Sequence, residues 1–230
     1  MKVGVCIGHS RSGDAGAVSV GDVSEWNYNV PVGEKVTALL QAAGVEVLFL
    51  TAYEGGSYGS AMSWVARELD AFGADCAIEL HFNSASASAR GFEHLYWHSS
   101  SKGKDLALAI FDGQAQAFPD SVARDVKPKT SNDRGSAFLS KPACPAVIVE
   151  PFFGSNQDDW EQYRSEAAQD KLAGVYADAI LSFLGVSAPE VPETPTEPET
   201  PEIDHEGALA RIEAAEIQLA DAKRILRGGG

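Results

Sequence analysis

Five short apolar runs, separated by stretches with helical patterning, set the tightest limit on how this chain folds. They are Val3–Gly8, Val45–Thr51, Asp75–Phe82, Gly91–Trp97 and Ala146–Glu150. Most are continuously apolar rather than alternating, which suits strands covered on both faces. Strands that alternate with helices build an α/β domain. The expected fold is a twisted, mostly parallel or mixed sheet with helices on both faces. Ser24 is placed to cap a helix running from Glu25 towards Ala43, which Pro31 and Gly33 should kink or break. Further helices are expected over Ala61–Phe72, Gly103–Ala117 and Glu166–Leu184. In the last, Ala173, Tyr176, Ala177, Ile180, Phe183 and Leu184 mark one apolar face.

The pattern ends abruptly. Ser187–Ile203 holds five prolines among glutamates and threonines, with almost nothing to bury. It reads as an extended, semi-rigid linker. After it, Ala208, Ile212, Ala215, Leu219, Ala222 and Leu226 form a heptad-like seam on a short C-terminal helix. The organisation expected is a globular domain over residues 1–186, a linker over 187–203 and an amphipathic helix over 204–230. That helix is read as a frayed tail, as a means of self-association, or as an element that docks to the body or to a surface.

With 44% hydrophobic residues the chain can fill a core. Its net charge of −15 argues against attraction to nucleic acid or to an anionic membrane surface. From Ser187 onward there are ten acidic and four basic residues, so the tail is the denser in negative charge. No stretch approaches the ~20 apolar residues that would insert in a bilayer. Met1–Ile7 is too short for a signal peptide and has no cleavage site after it, so a cytoplasmic start is expected. Cys6, Cys76 and Cys144 form no CxxC pair, which excludes a structural zinc finger and points to buried, reduced thiols.

In α/β sheets reactive groups gather at the carboxyl ends of strands. His9 follows the first strand, His81 the third, and Glu150 ends the fifth. Glu25 lies in the first turn of the helix after the Ser10–Ser24 loop. Two imidazoles and one carboxylate are a three-ligand set for catalytic zinc, and a second carboxylate is then available as base for water. Each residue alone has a plainer reading: a histidine at a strand end is often structural, and a glutamate after an N-cap serves the helix dipole. Glu150 is harder to explain that way, since burying a carboxylate unpaired costs several kcal/mol. Glu34 competes with Glu25 for the ligand role. His94 and His98 read as packing or surface residues. The glycine-rich Tyr53–Ser60 stretch matches no phosphate loop and reads as a flexible groove edge.

The order of these segments resembles the zinc-dependent N-acetylmuramoyl-L-alanine amidases of the amidase type 3 family, over roughly residues 2–185. The likeness rests on Gly8-His9-Ser10, Gly16-Ala17, Glu25-Trp26-Asn27-Tyr28-Asn29, Glu79-Leu80-His81-Phe82-Asn83-Ser84-Ala85, Gly91-Phe92-Glu93, Leu95-Tyr96 and Pro145 through Phe153. The resemblance implies one catalytic Zn2+ held by His9, Glu25 and His81, with Glu150 as the catalytic glutamate. It implies peptidoglycan as substrate and, as the bond cut, the amide between N-acetylmuramic acid and L-alanine. It also favours Glu25 over Glu34, which lies only ten residues before Gly44, too late for the family's helix. The first loop, Cys6-Ile7-Gly8-His9-Ser10, together with EWNYN and EPFF, is closer to the phage-endolysin branch than to host autolysins. An endolysin would wait in the host cytoplasm and reach the wall through a membrane pore. Asn83 and Arg134, the latter in the polar Lys127–Ser140 loop, are expected to touch substrate. The alternatives are a bacterial autolysin or sporulation amidase and, in another class, a catalytically dead wall-binding or scaffold module.

Overall fold

A computed structural model describes residues 1–11 and 14–186. The linker and C-terminal helix expected from the sequence lie outside the described residues. In chain order the elements are β1 (Lys2–Ile7), α1 (Glu25–Ala42), β2 (Glu46–Leu50), α2 (Tyr58–Phe72), β3 (Cys76–Leu80) and β4 (Phe92–Trp97). They continue with α3 (Ser101–Ala117), β5 (Ala123–Lys129), α4 (Ser136–Ser140), β6 (Ala146–Glu150), α5 (Gln157–Tyr163) and α6 (Glu166–Leu184). The strands form one six-stranded mixed sheet in the order β2-β1-β3-β6-β4-β5. β2, β1, β3 and β6 run parallel, β4 is antiparallel to β6, and β5 is parallel to β4.

The two faces of the sheet carry separate cores, because successive side chains on a strand point to opposite sides. Val3, Val5, Ile78, Leu80, Val147 and Val149 pack with α1, α3 and α6. Cys6, Ala77, Leu95 and Ile148 pack with α2 and α4. This double coverage explains the continuous apolar runs. Cys6 and Cys76 are buried and free, as expected. No helix among the described residues is long and apolar enough to cross a membrane.

Several expectations need correction. α1 runs unbroken through Pro31 and Gly33. Ser24 caps it, accepting a hydrogen bond from the Asn27 N–H at 3.2 Å. Pro31 deprives the Asn27 carbonyl of its helical partner, a loss that falls on an exposed residue. Gly33 lets α1 approach the sheet: a Cβ there would stand 2.6 Å from Ile7 Cδ1 and 2.8 Å from Phe49 Cε2. The Tyr53–Ser60 stretch is exposed over 54–60, as a groove edge would be, and is anchored at both ends. Ser57 and Ser60 form a reciprocal capping box that starts α2 at Tyr58, and Tyr53 is tied to the Ile7 carbonyl. The Lys127–Ser140 segment is not all loop, since β5 extends to Lys129 and α4 begins at Ser136.

β5 and α5 escaped the sequence reading for physical reasons. β5 is an edge strand, so it carries Arg124, Lys127, Pro128 and Lys129 where an interior strand would be apolar. α5 has only seven residues and no apolar periodicity to show. Its Asp159 is buried and accepts hydrogen bonds from the N–H groups of Gly91 (2.8 Å) and Phe153 (2.9 Å). That carboxylate ties the segment after β6 to the start of β4.

Candidate metal centre

The topology gathers chemistry at one edge of the sheet. Ile7 pairs with Leu80 and Leu80 with Val149, so the chain leaves β1, β3 and β6 side by side. His9, His81 and Glu150 lie one or two residues past those pairs. β4, running the other way, brings Glu93 opposite Glu150 at the same edge. Glu25 arrives from the first turn of α1. Trp26 Nε1 donates to the Thr51 carbonyl at 2.9 Å, which fixes that turn against the end of β2.

Glu25 is the hub. One oxygen, Oε1, lies 2.7 Å from His81 Nδ1 and accepts from the Phe82 N–H at 3.1 Å. The other, Oε2, lies 3.3 Å from His9 Nε2 and accepts from the Ala17 N–H at 3.1 Å. Donor atoms of His9, Glu25 and His81 all fall within 4.8 Å of one another. Two imidazoles and a carboxylate converging at that distance match the donor chemistry of a three-ligand zinc site. Glu34 is exposed on α1 and takes no part.

The surrounding backbone is shaped for this cluster. His9 has φ 69°, a left-handed conformation rare for a residue with a side chain, and one that collects at functional sites. Gly8 is required by contact: a Cβ there would stand 2.2 Å from His81 Cε1. At Gly16, with φ 78°, a Cβ would stand 2.7 Å from both Glu25 and His9.

The electrostatics favour positive charge in this pocket. Burial alone would raise the Glu25 pKa, but hydrogen bonds with His81 and His9 outweigh it and hold the carboxyl at about 2. Burial opposes protonation of His9, yet Glu25 and Asp14 raise its pKa. Burial likewise opposes protonation of His81, and Glu79 and Glu25 carry its pKa well above the ordinary value. A field that favours the imidazolium also favours a bound cation. Glu150 behaves differently. Burial pushes its carboxyl up to about 7; His81 opposes that rise, and the nearby charges of Glu93 and Glu25 add to it.

Asn83 and Arg134 stand outside this cluster. Asn83 is half-buried just past β3, its Oδ1 accepting the Ser84 N–H at 2.9 Å, and its backbone bridges to Phe153. Arg134 is exposed before α4, close enough to Tyr58 to favour its phenolate. Burial, then the charge of Glu79, nevertheless push the Tyr58 phenol up to about 12. His94 is wholly buried and His98 exposed, so neither joins the centre. Three further residues, to which the sequence assigns no role, flank the centre. Asp14 lies 3.1 Å from His9 Nδ1, Glu79 lies 3.2 Å from His81 Nε2, and Tyr53 bonds Glu79. The signal for Glu79 was present as Glu-x-His in a strand, a spacing that puts both side chains on one face.

The chain matches the N-acetylmuramoyl-L-alanine amidase family over residues 3–182. Solved structures share the fold. The amidase AmiC2 of Nostoc punctiforme is 22% identical with a TM-score of 0.69, covering 80% of this chain and 97% of its own. The catalytic domain of CwlV, an N-acetylmuramoyl-L-alanine amidase from Bacillus (Paenibacillus) polymyxa var. colistinus, is 24% identical with a TM-score of 0.69, covering 81% and 100%. The catalytic domain of the CD27L endolysin targeting Clostridia Difficile is 25% identical with a TM-score of 0.68, covering 79% and 97%. No match was found among curated proteins. The chain belongs to the N-acetylmuramoyl-L-alanine amidase family.

Proposed function

From that membership we propose that this chain hydrolyses the amide joining the lactyl group of N-acetylmuramic acid to L-alanine in peptidoglycan. One zinc ion held by His9, Glu25 and His81 serves the reaction, and Glu150 is its general base. The observation that carries this reading is the convergence of the three donor side chains within 4.8 Å, with Glu150 at the adjoining strand end. Zinc in such a site supplies Lewis acidity, which makes water more acidic and the scissile carbonyl more electrophilic.

The protein's own groups do the rest. Glu25, with Oε1 facing His81 Nδ1 and Oε2 facing His9 Nε2, brings both imidazoles to one point and would complete the ligand set with them. Glu150 takes a proton from the attacking water onto a carboxylate oxygen. It then returns that proton to the departing amine nitrogen, so that the amide C–N bond breaks with a neutral leaving group. A carboxylate at the adjoining strand end is placed for both transfers. Asn83, at the rim, offers its amide N–H groups to the substrate, and Arg134 offers a guanidinium to a stem-peptide carboxylate.

Digestion of purified walls tests this reading. It should release free amino groups without new reducing sugar ends, and a chelator should stop it. New reducing ends without free amines would overturn it. Glu150→Gln should lose about 10²–10⁴-fold in turnover while retaining the same zinc content by elemental analysis.

We read the enzyme further as a phage or prophage endolysin. The Cys6–Ser10, EWNYN and EPFF segments support this, as does the likeness to the CD27L endolysin domain. Genomic neighbourhood decides it: lysis and virion genes support an endolysin, whereas division or sporulation genes make the chain a bacterial autolysin or sporulation amidase.

A further inference from the structure

Glu79 is a carboxylate in an apolar place. It lies in the middle of the sheet on β3, buried, with Cys6 of β1 and Ile148 of β6 as its register partners. Those two belong to the apolar core under α2 and α4. A charge held there costs several kcal/mol unless other groups compensate it. Two groups do. Tyr53 Oη, with one hydrogen to share, lies 2.6 Å from the Ile7 carbonyl and 3.0 Å from Glu79 Oε1. His81 Nε2 lies 3.2 Å from Glu79 Oε2.

The two edges of the His81 ring therefore face two different carboxylates. Nδ1 faces Glu25, the hub of the metal cluster, and Nε2 faces Glu79. A nitrogen that binds a metal must give up its proton, which leaves the hydrogen on the other nitrogen. With Nδ1 aimed at the cluster, Nε2 carries the hydrogen and needs an acceptor. The two nitrogens point away from each other, so Glu79 does not share an ion with Nδ1. His9 is arranged in the same sense, with Nε2 towards Glu25 and Nδ1 towards Asp14, but Asp14 is 74% exposed and water weakens its hold. The buried partner is the stronger constraint.

We propose that Glu79 is a positioning residue for the metal centre: it accepts the His81 Nε2–H, fixes the tautomer that leaves Nδ1 free, and is itself held by Tyr53. This rests on the reading of His81 as a zinc ligand. Carboxylates placed behind a ligating histidine commonly change metal affinity by about 10–100-fold when removed. A merely structural Glu79 would do something different. Its loss would lower the stability of the metal-free protein and leave zinc affinity unchanged.

The test measures zinc affinity of the full chain by chelator competition, alongside the thermal midpoint of the metal-free protein. The parent should bind one zinc, and His81→Ala should abolish that binding. Glu79→Gln should bind about 10–100-fold more weakly, beyond any change in the metal-free midpoint. Cobalt(II) loaded in place of zinc should show a shifted visible spectrum in this variant. Tyr53→Phe leaves the carboxylate in place but frees it, and should weaken zinc binding by about 3–10-fold. It serves as the second variant if Glu79→Gln does not fold. Zinc affinity within about twofold of the parent in the folded variants overturns the positioning role while the ligand reading stands. An equal affinity with a lowered midpoint overturns it in favour of a structural role. A parent that binds no zinc, or His81→Ala binding as well as the parent, removes the ligand reading and this inference with it.

Discussion

At the scale of single residues, the centre depends on what is missing as much as on what is present. Gly8 carries no Cβ because the His81 ring occupies that space. The obstruction is the ring of His81, held between Glu25 and Glu79. Gly8→Ala should therefore displace His81 and reduce zinc binding by about tenfold or more, with activity falling in step. Equilibrium dialysis against zinc would check this; unchanged binding would show that the ring yields. Sequence alone exposed His9, His81 and Glu150 through their places at strand ends. It left Glu25 and Glu34 as rivals, since carboxylates nine positions apart on one helix differ only in where the helix begins. It put Glu79 on the same strand face as His81 but left its role open, because a strand pattern does not say which nitrogen of a neighbouring imidazole a carboxylate meets.

At the scale of elements, the strands covered on both faces were legible and the edge strand was not. Apolar runs announce burial, and β5 is not buried enough to announce anything. α1 shows the converse error. Pro31 and Gly33 look like breaks, but packing against Ile7 and Phe49 requires Gly33, and the exposed side of the helix absorbs the loss at Pro31. α5 shows how a short element can matter through one side chain. Asp159 accepts two backbone N–H groups from different segments inside the core. Asp159→Ala would leave both donors buried and unsatisfied, a cost of about 2–4 kcal/mol. Urea denaturation would measure it, and a change below about 1 kcal/mol would mean that water replaces the carboxylate.

At the scale of the whole molecule, stability carries a pH dependence from a histidine away from the His9–Glu25–His81 cluster. His94 on β4 is wholly buried beside Phe92 and Phe111, and neither ring nitrogen has a hydrogen bond of ordinary geometry. Burial pushes its pKa down to about 3; the nearby Gln114 side chain and Glu93 backbone oppose the shift without reversing it. The folded protein thus refuses a proton that the unfolded chain accepts below about pH 6.5. The resulting stability is fully present above that pH and is lost as pH falls towards 3, by about 1.4 kcal/mol per unit. Unfolding at pH 7 and pH 5 should show about 2 kcal/mol of this loss in the parent. A His94→Leu variant should lose that much less over the same interval. Equal losses in both would assign the acid sensitivity elsewhere.

The amino-acid sequence by itself determined the α/β class, most of the strands and helices, and the resemblance that named an amidase. These follow from periodicity and from local order, which a linear pattern records. Tertiary structure decided the rest. It brought Glu25 rather than Glu34 between His9 and His81, turned β4 against β6, set Glu93 opposite Glu150, and placed Glu79 behind His81. Each of these depends on which distant segments meet and at what angle. Only the register of the sheet and the close approach of α1 specify that.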